Sequence, residues 1–181
     1  MKTDNRKKLT ICFVALLAVT VLMTLSVLLP YGSAEKEYRE SLLDNADYVI
    51  DKDLNLTAGD MVDISMVTYA RVYSSASSKI FGNAGIGIIY VIFVAAIGGF
   101  SLLCVLFALL KKPIPIIIFD ILSFAAFMIQ RWDFVDRRVI PSSKYDWGIG
   151  YYLFIVAAIL AFALSIVMII IKKKIKNEKT D

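Results

Sequence analysis

Residues 86–110 read IGIIYVIFVAAIGGFSLLCVLFALL, twenty-five residues without a charge, and Lys111-Lys112-Pro113 follows. A helix crosses about 30 Å of hydrocarbon in about 20 apolar residues, so this run reads as a transmembrane span. The lysine pair ends it. Pro113 and Pro115 then stand in the first turn of a second apolar run, where missing N–H donors cost little. That run, 114–130, is the shortest of the set and contains Asp120. Outward from this pair, 9–30 forms a span closed by Pro30, and 149–171 forms one stopped by Lys172, Lys173 and Lys174. The expected fold is an all-α integral membrane protein, an up-down bundle of four transmembrane helices. Residues 1–8, the 111–113 turn and the basic tail 172–181 lie on one side. A large loop, 31–85, and a smaller one, 131–148, lie on the other.

Composition agrees with that layout. The chain has 181 residues, 59% hydrophobic and 20% charged, where a soluble domain is roughly half apolar and a quarter charged. The side holding the termini and the 111–113 turn carries eleven basic residues against three acidic ones. The loop side carries nine basic against twelve acidic, and Asp120 completes the net +4. Basic residues flank spans on the cytoplasmic face, so both termini are expected in the cytoplasm of a multi-pass cell-membrane protein. These lysines read as span anchors, and nucleic acid is not an expected partner.

The N-terminus admits a rival reading. Gly32-Ser33-Ala34 before Glu35 resembles a signal-peptide cleavage site, but an apolar run of about 21 residues exceeds the usual core of roughly 7–15. The expectation is an uncleaved first span.

In the large loop, Tyr38, Leu42, Leu43, Ala46, Val49 and Ile50 recur at spacings of three and four, which predicts a helix over 35–50. Thr57 and Asp60 match a capping box, so a second helix is expected to start there. Alternation of Val62, Ile64, Met66, Thr68, Ala70 and Val72 keeps a strand open as the alternative. Ser74, Ser75, Ser77, Ser78, Gly82, Asn83 and Gly85 read as a hinge into the second span. Between the two helices, Asp51, Asp53 and Asn55 stand at alternate positions like the opening of a calcium loop. Leu56 replaces the required glycine and Val62 the bidentate glutamate, so the expected element is an acidic turn, with calcium the lesser reading. In the second loop and just beyond it, Trp132, Trp147, Tyr151 and Tyr152 are expected as interfacial aromatic anchors. Its charges, Arg131, Asp133, Asp136, Arg137, Arg138, Lys144 and Asp146, are expected to pair with one another or with the first loop.

Candidates for chemistry are few. With no histidine, the commonest general base and metal ligand are absent, and histidine-based triads and zinc-protease motifs are excluded. Cys12 and Cys104 fall within spans and read as packing residues. No cofactor is implied. Asp120, with Ser123 on its helical face, is the intramembrane polar site. Such a residue usually faces a bundle interior or cavity, and the choice lies between an interhelical hydrogen bond and an ion or proton site. Ala95, Gly98 and Gly99 in the second span, and Ala157, Ala161 and Ser165 in the fourth, have the spacing that lets helices approach closely, read chiefly as packing within the chain.

In topology the layout resembles claudins and related four-span proteins. The first loop has neither the tryptophan-rich signature nor the cysteine pair of that family, so no residue role carries over. The functional expectation is a non-enzymatic accessory, regulatory or scaffold subunit, with Tyr31–Gly85 as recognition surface and a membrane protein or a second copy as partner beside the bilayer itself. The alternative is a small transporter or channel subunit using Asp120.

Overall fold

The computed structural model describes residues 2–80 and 84–178, with side chains described over 5–77 and 87–178. Four helices are long and apolar enough to cross a membrane: α1 (Lys2–Ser26), α4 (Ala84–Leu109), α5 (Pro113–Asp136) and α6 (Ile149–Asn177). Shorter elements fill the space between α1 and α4: β1 (Pro30–Ala34), α2 (Lys36–Asp44), β2 (Val49–Asp51), β3 (Leu56–Thr57), β4 (Asp63–Ser65) and α3 (Met66–Ile80). One more strand, β5 (Tyr145–Trp147), precedes α6.

The long helices pack side by side, α1 against α6 and α4, and α5 against α4 and α6. Leu16, Met23, Ile97, Ile116, Phe127, Phe154 and Met168 are buried between them. The α4–α5 turn is tight because Lys111 takes a left-handed backbone, φ 56°. Its N–H reaches Ala108 O at 2.8 Å, and the Lys112 N–H reaches Phe107 O at 2.9 Å. That pair of bonds satisfies the last carbonyls of α4. At this end Asn5 Nδ2 donates to Glu178 Oε1 at 2.7 Å, and Lys172 Nζ donates to Lys111 O. The start of α1, the α4–α5 turn and the end of α6 therefore meet.

The opposite end departs from the all-α expectation. A three-stranded antiparallel sheet in the order β4-β1-β5 joins the two loop segments. Gly32 in β1 pairs with Ile64 on one side and Trp147 on the other. The predicted helix over 35–50 is a shorter one: α2 stops at Asp44, and Val49 and Ile50 lie exposed in the β2–β3 hairpin. Asp44-Asn45-Ala46-Asp47 is composed of residues that favour turns, and the Asn45 N–H closes on Leu42 O. The Thr57–Asp60 box forms, with Asp60 N donating to Thr57 Oγ1 at 3.3 Å and Thr57 N to Asp60 Oδ2 at 2.9 Å. It caps only a single 3-10 turn, Gly59–Met61. Pairing with β1 draws Asp63–Ser65 into a strand, so the helix starts nine residues later than Thr57, at Met66, where Ser65 Oγ accepts the Thr68 N–H at 3.1 Å. The strand alternative thus holds for Asp63–Ser65 alone, and the helix takes the rest of the stretch from Met66. Of the hinge residues, Ser74, Ser75, Ser77 and Ser78 lie within α3, Gly85 falls inside α4, and Gly82 and Asn83 lie outside the described residues. The third span also runs further than 130, because α5 continues through Asp136 and closes on Arg138, φ 54°.

Candidate functional site

Tyr31 organises the sheet end. It sits at the register irregularity between Pro30 and Gly32 and is fully buried. Its ring meets Tyr69, Phe127, Phe134, Trp147 and Tyr151 edge-on, at centroid distances of 5.4 to 6.4 Å. Such pairs add about 0.5–1.5 kcal/mol each beyond the area they bury. The cluster joins β1, α3, α5 and α6. Burial pushes the Tyr31 and Tyr69 hydroxyls well above the ordinary tyrosine range. Tyr145 is raised by burial too, and its hydroxyl donates to Met61 O at 2.6 Å, fastening the second loop to the first.

Charges complete the fastening. Arg131 Nε donates to Tyr151 Oη at 2.8 Å, with its guanidinium 5.9 Å from the Trp147 ring. The Tyr90 hydroxyl donates to Asp133 Oδ2, which also pairs with Arg137. The Arg137 guanidinium lies 4.9 Å from the ring of Tyr90 and 5.2 Å from that of Tyr73, and those two rings stack at 4.4 Å. In the first loop Arg39 pairs with Asp63 at 2.8 Å, and the Ser33 hydroxyl donates to Asp63 Oδ1 at 2.7 Å. The expected pairing of charges holds for Asp133 with Arg137; Arg131 goes to aromatic partners instead. Both loops thus form one cap.

Two further features lie on the surface of the cap. Leu43 in α2, Tyr48 in the turn after it, and Val49 and Ile50 in β2 are each exposed, Tyr48 by 69%. Beside them a concavity of about 790 Å³ is lined by Leu28, Leu43, Leu54, Asp60, Asp63 and Arg71 among others. The Asp51–Thr57 segment is a turn in fact: Asp51 Oδ1 accepts the N–H groups of Asp53 (2.9 Å) and Leu54 (3.2 Å), and Oδ2 accepts the Ser75 hydroxyl at 3.1 Å. Asn55 takes a left-handed backbone, φ 52°. Among the described residues, no three metal-ligating side chains of the His, Cys, Asp and Glu types gather.

The intramembrane site is assembled differently from expectation. Asp120 and Ser123 are both buried, but the Ser123 hydroxyl donates to Ile97 O at 2.9 Å, tying α5 to α4. Asp120 Oδ1 is buried with no hydrogen-bond partner among the described residues, as are Ser165 Oγ and both polar atoms of Gln130. Asp120 lines a crevice of about 310 Å³ between α5 and α6, walled by Ile121, Phe124, Ala125, Ala158, Ile159 and Phe162. Toward the cap, the Phe127 and Phe154 rings stack at 4.2 Å above it.

Among the aromatic anchors, Trp132 and Tyr152 are exposed, and Trp147 is half-buried against Tyr31 and Tyr151. Tyr151 is a correction: it is buried, stacked on Trp147 at 4.2 Å and on Phe127 at 5.6 Å. The small residues also divide. Ala157, Ala161 and Ser165 are buried within the bundle, whereas Ala95 and Gly99 face outward, and a Cβ built on Gly98 or Gly99 meets nothing within 4 Å. The reading as packing within the chain is therefore corrected for Gly98 and Gly99, while Ala95 lines a cavity with Val67, Ala70 and Arg71 of α3. Helical spacing shows that residues share a face, but not which face. Tyr31 and Gln130 escaped the sequence reading. The Tyr31 signal was its place directly after the proline that ends the first span.

No family model, curated protein or solved structure matches the chain.

Proposed function

We propose that this protein is a non-catalytic, multi-pass membrane protein that works by contact, as an accessory, regulatory or scaffold subunit, through its cap. The observation that carries this reading is that four large apolar side chains within eight residues, Leu43, Tyr48, Val49 and Ile50, are exposed on a cap fastened by a sheet and an aromatic core. Apolar residues gathered on a polar segment outside the spans mark interaction surfaces. The rigid cap also lowers the entropy lost on binding. Charge asymmetry supports the orientation: the dilysine turn, α1 start and α6 end meet at one end, and that end lies in the cytoplasm of the cell membrane by the positive-inside rule.

The test is in-cell cross-linking followed by mild extraction, comparing the wild-type chain with Tyr48→Asp/Ile50→Asp. A discrete membrane-protein adduct that forms with the wild type and is lost in the variant supports the reading. A monodisperse monomer with no adduct in either overturns it.

A second reading has one observation in its favour. The unpartnered Asp120 carboxyl at the crevice suits a small transporter or channel subunit. Reconstitution with Asp120→Asn tests it: proton or cation flux must appear with wild type and disappear with the variant.

A further inference from the structure

The cytoplasmic-type end holds a cavity of about 410 Å³ between the start of α5 and the end of α6. Its lining includes Lys111, Lys112 and Lys172, together with Ile114, Pro115 and Ile169, and contains no acidic residue. We propose that this cavity seats the phosphate headgroup of an anionic phospholipid, with the apolar wall taking the top of an acyl chain.

The lysines are positioned rather than merely present. Lys111 is held in its left-handed conformation by the bonds that close α4, and its ammonium lies 4.9 Å from the Phe13 ring centroid. Lys172 is bent toward the turn, donating to Lys111 O, instead of extending along the tail. No described carboxylate pairs with any of the three: Glu178, at the same end, accepts from Asn5. Ile114 is exposed beside them, and Ile169 half-buried. A cationic rim above an apolar wall, at the point where two spans end, is the profile of the headgroup layer itself. A phosphate fits because it offers several acceptor oxygens to several ammonium donors. Basic pockets between spans on this side of a membrane favour anionic headgroups for the same reason. A zwitterionic lipid brings its own cation against three ammonium groups. Lys173 and Lys174 have the same charge and neighbouring positions but do not line the cavity, which separates a built site from diffuse attraction.

The test uses the full-length protein in neutral detergent, titrated with phosphatidylglycerol or phosphatidylcholine and read by native mass spectrometry. Phosphatidylglycerol is expected to fill a first site about tenfold more tightly than phosphatidylcholine. Lys112→Gln/Lys172→Gln should abolish that preference, while Lys173→Gln/Lys174→Gln should keep it within about twofold. Equal loss in both variants, or no preference in the wild type, overturns the proposal. Inorganic phosphate that displaces the lipid at comparable concentration overturns the lipid assignment in favour of a soluble anion. Lys112 is exposed at the α4–α5 turn, so Lys112→Gln alone tests the site without touching the bond from Lys172 to Lys111. It should lose about threefold. An unchanged preference in that variant counts against the site.

Discussion

Ala157, Ala161 and Ser165 are 3%, 0% and 0% exposed in α6, whereas in α4 a Cβ added at Gly98 or Gly99 would find open space. Both helices carry small residues at four-residue spacing. In α6 they are buried where other helices pack, and along the α1–α6 contact the Cys12 thiol reaches Leu164 O at 3.5 Å. Close approach continues at the cap end, where a Cβ on Gly150 would stand 2.8 Å from Ser26 O, and one on Gly148 2.3 Å from Pro30 O. In α4 Gly98 and Gly99 have no such neighbour among the described residues, whereas a Cβ on Gly87, nearer the cap, would meet Ser74 Cα of α3 at 2.6 Å. Small side chains are therefore permissive. They allow contact wherever the bundle supplies a second surface, and the chain's own connectivity decides where that is. β1 follows directly on α1 and pairs with β5, which leads into α6, so the α1–α6 seam is closed by short chain segments at the cap.

This contrast can be broken at its strong side first. Ala161→Phe is expected to destabilise the protein by about 3 kcal/mol, the upper range for overpacking a buried site. Steric trapping or denaturant unfolding in bicelles measures it; a wild-type midpoint would mean that the seam is looser than described. Alkaline titration probes the cap above the seam. Burial raises Tyr31, Tyr69 and Tyr145, so the folded state keeps their protons longer than the unfolded chain does. Their stabilisation is complete below pH of about 10 and falls above it, by about 1.4 kcal/mol per pH unit for each tyrosine. Absorbance near 295 nm, expected to rise together with loss of tertiary signal, follows it. Independent early titration of all nine tyrosines would contradict the buried cluster. Gly150→Ala comes next, at about 1 kcal/mol, because the added methyl meets backbone oxygens that cannot swing aside. Smallest is Gly99→Leu, expected within about 0.5 kcal/mol of wild type. If that change instead shifted the cross-linked oligomer pattern, the α4 face would be an interface between molecules.

The cap and the bundle both hold buried polar atoms without a partner among the described residues. In the cap these are the Tyr31 and Tyr69 hydroxyls, while Asp133 Oδ2 and the Tyr145 hydroxyl are bonded to named partners. In the bundle, Asp120 Oδ1, Ser165 Oγ and Gln130 have none among the described residues. Asp120→Asn keeps the shape and removes the charge, so it should leave folding unchanged while it tests transport.

Some of this was readable along the chain. Lys111-Lys112-Pro113 marked the turn, since a charged pair ends an apolar run and a proline keeps the residue before it out of helical backbone. Thr57 with Asp60 was recognisable as a cap, but local hydrogen bonds do not set how long the capped turn lasts. Tyr151 and Tyr152 are adjacent and chemically identical, yet one is buried and the other exposed. A helix turns about 100° per residue, and the sequence did not show which direction faced the core.

The sequence by itself determined the four long apolar helices, their punctuation by lysine and proline, and the charge asymmetry between the two sides. Those properties depend on neighbours in the chain and on the thickness of a bilayer. Only the tertiary structure decided that the loops close into one sheet around Tyr31, that Ala157, Ala161 and Ser165 of α6 are buried while Gly98 and Gly99 of α4 meet open space, and that Lys172 folds back onto Lys111. Each of these depends on contacts between segments far apart in sequence, whose partners no local pattern identifies.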